Sequence, residues 1–317
     1  MAASRIIPQP HGVTVVDAEY VRPEYAAVHL IERGGRVAVV DTGTNDSVPL
    51  VLAALEELGL SRAAVDLVFV THVHLDHAGG AGLLMRELPA ARAVAHPRAV
   101  PHLVDPSRLV EASRVVYGRE RFERLYGEPL PIDAGRVLET ADGDVLWLGR
   151  SELGVLHTPG HALHHHVLVD TEGGAVFTGD TFGLSYRALD TERGACALPT
   201  TTPTQFDPEQ LLSSIRRIVS LSPEVLYLTH FGRVTGVARL AVSLESQIHA
   251  FVRIAERHAG DGERFAPIRA DLRQLWLEVL EEHGAPPSAV DDLLAPDLDL
   301  NAQGLVAWLE RGERAPR

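Results

Sequence analysis

"THVHLDHAGG", residues 71–80, packs three histidines and an aspartate (His72, His74, Asp76 and His77) into six positions. Imidazole and carboxylate are the usual protein ligands of zinc, iron and manganese. The spacing of two between His72 and His74 points both rings the same way along an extended segment. Asp76 and His77 are adjacent, and adjacent side chains diverge. Serving one ion with all four is therefore awkward, whereas two neighbouring ions would be served naturally. Two ions also need more ligands than this loop provides.

The flanking sequence supplies them in a recurring arrangement. "DLVFV" (66–70) is a buried-strand run that ends directly before the loop. "LGVLHTPGH" (153–161) closes a strand run with His157 and then His161, "GAVFTGD" (174–180) closes another with Asp180, and "VLYLTH" (225–230) a third with His230. The ends of neighbouring strands lie together at one edge of a sheet, so His161, Asp180 and His230 are expected to converge on the loop. The remaining histidines read differently. His102 and His249 are expected on the surface or packed, and His96 and His157 as hydrogen-bonded supports at strand ends. His164, His165 and His166 form a run of which one or two at most face the site.

Further out, "VTVV" (13–16), "AAVHLI" (26–31), "RVAVV" (36–40) and "RAVAH" (92–96) read as strands, as do segments around 144–148, 153–157, 166–169 and 175–178. Helices are expected at 47–60, 80–88 and 107–126, and from an Asp207-Pro208-Glu209 start to about 220. From about 236 the β-runs stop. Val237, Leu240, Leu244, Ile248 and Phe251 mark one amphipathic helix, and Ile268, Leu272, Leu275, Trp276 and Val279 another. The expected class is α/β, sheet packed on sheet with helices outside. The expected division is a catalytic domain over 1–235 and a helical extension over 236–317.

Composition narrows the function. The single cysteine, Cys196, excludes an intrachain disulfide and thiolate metal sites. The formal charge is −14 and every basic residue is arginine, which rules out a P-loop lysine and a lysine Schiff base and argues against nucleic acid as a partner. No apolar run approaches the roughly 20 residues of a membrane span, and "MAASRIIPQPHG" has no apolar export region. A cytoplasmic protein acting on a small molecule, with no membrane partner, is expected. The amphipathic tail helices need an apolar surface, from the core domain or from a second copy in a homodimer.

His-x-His-x-Asp-His, then HTPGH, TGD and a terminal histidine after a strand resemble the metallo-β-lactamase-fold superfamily, in order from Asp41 to His230. The resemblance implies a four-layer αβ/βα sandwich with a metal site at one edge of the two sheets. It implies that His72, His74 and His161 hold one divalent ion and Asp76, His77 and His230 a second. Asp180 and a water would bridge them, and Asp41 of "VDTG" would hydrogen-bond a ligand histidine. Zinc is the expected metal, with iron or manganese as alternatives. Such a site hydrolyses esters, thioesters, lactones, amides or phosphoesters, with Asp76 also orienting the attacking water and taking its proton. Phe182, Tyr186 and Arg187 are candidate pocket residues.

Branches of the superfamily can be pruned. Exported β-lactamases lack a match to Asp180. The glutathione thioesterase branch uses lysines that this chain does not have. The lactonase tyrosine falls at Gly183, with Tyr186 three residues on. "HPRAVPHLVDPSRL" (96–109), "HTPGHALHH" and "PTTTPTQFDP" resemble most a prokaryotic group of stand-alone hydrolases of this fold, which implies no particular substrate. The alternative is an oxidoreductase with one iron, of the persulfide dioxygenase type. A scaffold that has lost catalysis would have lost a ligand, and none is missing.

Overall fold

A computed structural model describes residues 6–201 and 204–314; residues 1–5, which open the N-terminal stretch, and Thr202 and Pro203 of PTTTPTQFDP lie outside the described residues. The strands gather into two sheets. The first runs in chain order through β1 (Ile6–Gln9), β2 (Val13–Asp17), β3 (Ala27–Arg33), β4 (Arg36–Val40), β5 (Val65–Phe69), β6 (Arg92–Ala95) and β7 (Val137–Glu139). Pairing is antiparallel from β1 to β4 and parallel from β4 to β7. The second is ordered β13 (Gly232–Val234), β12 (Val225–Leu228), β11 (Ala175–Gly179), β10 (His166–Asp170), β9 (Ser151–His157), β8 (Val145–Leu148).

Every residue of β2, β11 and β12 is buried, as strands covered on both faces require. The sheets meet through aromatic rings. Phe69 of β5 stacks on His166 of β10 with centroids 4.2 Å apart. His29 of β3 stands edge-on to Phe177 of β11 and to Tyr227 of β12, 5.5 Å from each. Helices α1 (Val48–Glu57) and α3 (Ala81–Glu87), separated by the single turn α2 (Leu75–Ala78), pack against the first sheet. The helix expected over 107–126 is broken. After α4 (Val100–Val104), α5 (Ser107–Tyr117) stops at Gly118, whose φ of +76° is left-handed, and α6 (Arg119–Tyr126) begins anew.

The chain forms two compact units. One comprises the described residues up to His157 with His164–Gly179 and Leu226–Arg233, and so holds nearly all of both sheets. The other comprises Thr158–Leu163, Asp180–Val225 and the chain from Val234 onward. It carries α7 (Pro208–Ser220), α8 (Val237–Arg257), α9 (Phe265–His283), α10 (Ala289–Asp292) and α11 (Ala295–Arg314). Asp207 caps α7 as its sequence predicts, accepting from Gln210 N at 3.0 Å. The marked faces of α8 and α9 are buried, except that Leu275 and Val279 are half-buried. The tail shares its core with the 180–206 segment: Asn301 Oδ1 accepts from Thr201 N at 2.7 Å, and Gln247 Nε2 donates to Ala197 O at 3.0 Å. Among the described residues no helix is long and apolar enough to cross a membrane.

Two features of the sandwich carry predictions. Arg33, at the end of β3, pairs with Asp170, at the end of β10, with 8% and 0% of the side chains exposed. Arg33→Ala leaves a buried carboxylate unpaired and is expected to cost about 3–5 kcal/mol, read as a lower urea midpoint at unchanged slope. His29 is 1% exposed, and neither ring nitrogen has a hydrogen-bond partner among the described residues. Burial pushes it down to about 4, with the Asp41 charge opposing. The unfolded chain, with an ordinary value near 6.5, binds this proton first, so the stability is present above that value and lost as pH falls towards 4. From pH 8 to pH 5 the loss from this one residue is about 2 kcal/mol. His29→Leu should flatten that part of the pH dependence, as measured by unfolding at both pH values.

Candidate metal centre

The site begins where three strands end. β4 ends at Val40, and Asp41 follows with φ +58°, a left-handed conformation that aspartate tolerates better than most residues. Its fully buried carboxylate accepts four times. Oδ1 receives Thr71 N at 2.8 Å and Thr71 Oγ1 at 2.9 Å. Oδ2 receives Thr229 Oγ1 at 2.7 Å and His77 Nδ1 at 2.8 Å. Thr71 follows β5 and Thr229 follows β12, each immediately before a candidate ligand, His72 and His230. One carboxylate thus ties together the ends of both sheets that carry candidate ligands.

After β5 the chain runs extended through His74 and then makes the single turn α2. That turn is anchored by Thr42, whose N and Oγ1 both donate to His77 O, at 2.7 and 2.8 Å. Gly80 permits the close approach, since a Cβ there would lie 2.5 Å from Thr44 O. His72 Nδ1 donates to Thr71 Oγ1 (3.2 Å), which leaves Nε2 facing His74 Nδ1 at 2.7 Å. The expected same-side placement of these two rings is therefore observed. The expected divergence of Asp76 and His77 is not. Because they sit on a helical turn, the long imidazole swings back, and His77 Nε2 lies 3.8 Å from Asp76 Oδ2.

Asp76, His77 and His230 form one group, with a ligand atom from each lying within 4.8 Å of the others. His230 Nε2 is 3.3 Å from Asp76 Oδ2, and its Nδ1 donates to Tyr25 O at 2.8 Å. With Nδ1–H of both histidines committed, to Asp41 and to Tyr25, each Nε2 presents a lone pair towards Asp76. Two imidazoles and a carboxylate with tautomers set this way fit zinc, iron or manganese. In the other unit, His161 Nε2 lies 3.2 Å from Asp180 Oδ2, while its Nδ1 donates to Thr200 O at 3.3 Å. Gly160 (φ +129°) holds that turn against α7, where a Cβ would lie 2.2 Å from Leu211 N.

Five further histidines pack or hydrogen-bond in the two sheets and the loops at their ends. His165 stacks on His72 (4.9 Å), His164 Nδ1 accepts from Val73 N (3.4 Å), and His166 Nε2 donates to Val70 O (2.7 Å). Burial pushes His166 down to about 3, so it is neutral. His96 and His157 pack together 4.1 Å apart, and His157 Nε2 donates to Thr140 O. Phe182 and Tyr186 are buried in the helical unit. Tyr186 donates to Asp297 at 3.3 Å, and Arg187 pairs with Asp190 at 3.2 Å. Sequence reading missed the threonine pair on Asp41. The signal was present in the repeated Thr-His dipeptides at 71–72 and 229–230. It also missed Tyr25, whose backbone carbonyl orients His230 and carries no side-chain signature.

Comparison with known proteins bears on this arrangement. The family model of the metallo-beta-lactamase superfamily matches residues 21–230. The metallo-beta-lactamase fold-containing protein ST1585 of Sulfurisphaera tokodaii is 26% identical over 229 residues, 71% of this chain and 79% of that protein. The hydroxyacylglutathione hydrolase of Aeromonas salmonicida is 28% identical over 208 residues, 62% of this chain and 66% of that enzyme. Among solved structures, the family protein TTHA1429 of Thermus thermophilus has a TM-score of 0.63 at 21% identity, covering 98% of this chain and 93% of that one. At that identity the likeness shows the fold.

Proposed function

The chain belongs to the metallo-beta-lactamase superfamily, and from that premise we propose that it is a dinuclear metal-dependent hydrolase of small ester, thioester or lactone substrates. The observation that carries the reading is the Asp76–His77–His230 group with both histidine tautomers set by Asp41 and Tyr25. In this reading Asp76, His77 and His230 would hold one ion, His72, His74 and His161 would hold the other, and Asp180 would serve as a further ligand. The His72–His74 and His161–Asp180 pairs, each with ligand atoms close together, support that assignment. Two divalent ions supply Lewis acidity that makes water nucleophilic at neutral pH and polarises the acyl carbonyl.

The rest is done by side chains. Asp76 is 20% exposed, the least enclosed of its group, so it is reachable by a water. Its carboxylate orients that water and takes up its proton as the acyl carbon is attacked. Asp41 and the Tyr25 carbonyl keep His77 and His230 from rotating, so no reorganisation is needed during turnover.

Elemental analysis of protein purified without added metal or chelator tests the reading. Two zinc or manganese ions per chain, with turnover in a panel of esters, thioesters and lactones, are expected. A metal-loaded protein inert to the whole panel would sink it. One iron per chain with oxygen uptake on a persulfide would replace it with the oxidoreductase alternative.

A further inference from the structure

The second sheet ends on one side at β8, the outer strand of the β8–β9 hairpin. Leu148 pairs with Ser151 across the two-residue turn Gly149-Arg150, so the backbone N–H and C=O of Leu148 and Leu146 point towards β9. Val155 N, which donates to Asp144 O at 2.8 Å, continues the same alternation. The N–H and C=O of Val145 and Trp147 therefore point away from the sheet, and among the described residues they have no partner. Their side chains are also in solvent. Leu146 and Leu148 are buried, whereas Val145 is 49% and Trp147 59% exposed.

The other sheet edges are blunted. β1 contains Pro8, β7 Glu139 and β13 Arg233, each a residue that discourages a further strand from pairing. β8 reads Val-Leu-Trp-Leu, with no proline and no charge. An open, wholly apolar edge is a template for one more strand.

The residues around β8 fit one such strand best. Gly143 and Gly149 have left-handed φ of +87° and +62° and bound the extended stretch on both sides. A second copy laid antiparallel, with the two-fold axis at Leu146, sets Val145 of each copy opposite Trp147 of the other. In this register both outward residues of each copy exchange N–H···O bonds. A shift by two residues either way sets a turned glycine opposite one of them. The register also makes an aromatic–β-branched pair on each side of the axis. Beyond the extended stretch the chain is acidic at one end, with Asp142 and Asp144, and basic at the other, with Arg150, all exposed. Antiparallel pairing brings the acidic end of each copy to the arginine of the other. The chain carries a formal charge of −14, so two copies repel unless the contact itself joins opposite charges. A strand of another protein could make the backbone bonds, but a second copy supplies the matching charges and side-chain pairs by symmetry.

We propose that β8 is the contact of a symmetric homodimer, in which the second sheets of two copies join edge to edge. The tail helices α8 and α9 bury most of their apolar faces within their own unit and take no part in it. A strand pair of this length is at the small end of interface sizes, so the dimer is expected to dissociate on dilution.

Sedimentation velocity on the full chain between about 1 and 100 µM is expected to show monomer giving way to dimer. Val145→Pro removes an outward N–H that β9 does not use, so the hairpin keeps its ladder while the dimer is lost. Arg150→Asp sets like charges against each other at both ends and is expected to weaken association at least about tenfold. Arg150→Lys keeps the charge and is expected to stay within about threefold. Val242→Asp, at an exposed apolar position of α8, is expected to change nothing. Thermal unfolding of each variant separates a lost contact from a lost fold, and if Val145→Pro does not fold, the two Arg150 variants decide. A wild-type chain still monomeric at about 100 µM overturns the proposal. So does a dimer that survives both Val145→Pro and Arg150→Asp, or one that Val242→Asp dissolves.

Discussion

Asp41→Ala is expected to lose on the order of 5 kcal/mol, enough to leave little folded protein, since domains hold only about 5–15 kcal/mol in all. The carboxylate accepts from Thr71 N, the Thr71 and Thr229 hydroxyls and His77 Nδ1, all buried. The hydroxyls can turn to other acceptors. The Thr71 amide and His77 ring N–H cannot, and each buried unsatisfied donor costs about 1–3 kcal/mol. Alanine also tolerates the left-handed φ of +58° less well than aspartate. Asp41→Asn separates folding from metal binding. It fits the volume and the backbone, but it retains only one acceptor oxygen. Its amide then meets either Thr71 N–H or His77 Nδ1–H as donor against donor. The His77 ring escapes by moving its proton to Nε2, which removes the lone pair facing Asp76. A folded Asp41→Asn protein that binds zinc about 10- to 100-fold more weakly is expected. Titration against a chromogenic chelator measures it, and unchanged affinity would deny Asp41 a positioning role.

The second large effect is Asp76→Asn. Its side chain is 20% exposed and lies on a one-turn helix, so stability should change by less than about 1 kcal/mol. Activity should not be so tolerant. On the proposed reading the substitution removes both an anionic ligand next to His230 and the group that accepts the water's proton. A loss in kcat/KM on the order of 1,000-fold is expected, within the range for a general base. Elemental analysis should show the loss of one ion of two. A variant that kept both ions and full turnover would move the proton acceptor elsewhere, and one that lost turnover at full metal content would assign Asp76 to proton transfer alone.

Much of the fold was legible, and the strands that were not share a position. β1, β7 and β13 escaped notice, and each is the edge of a sheet. An edge strand is paired on one side only, so "IIPQ", "VLE" and "GRV" need no apolar alternation. β8, the remaining edge, alternates exposed and buried residues and was legible for that reason. The break at Gly118 was hidden because a lone glycine in a helical pattern is only a weak stop.

The sequence by itself determined which residue types could bind a metal and the order of the elements that carry them. Residue type decides what can bind a metal, and a hydrophobic run ending in a turn is a local feature that needs no partner to be seen. Only the tertiary structure decided how those side chains are held. Asp41 meets Thr229 across 188 positions, and His230 meets Tyr25 across 205. Such pairs depend on strand register and on which loop ends reach the same sheet edge. Those are set by the sum of many buried contacts rather than by any one residue's neighbours in the chain.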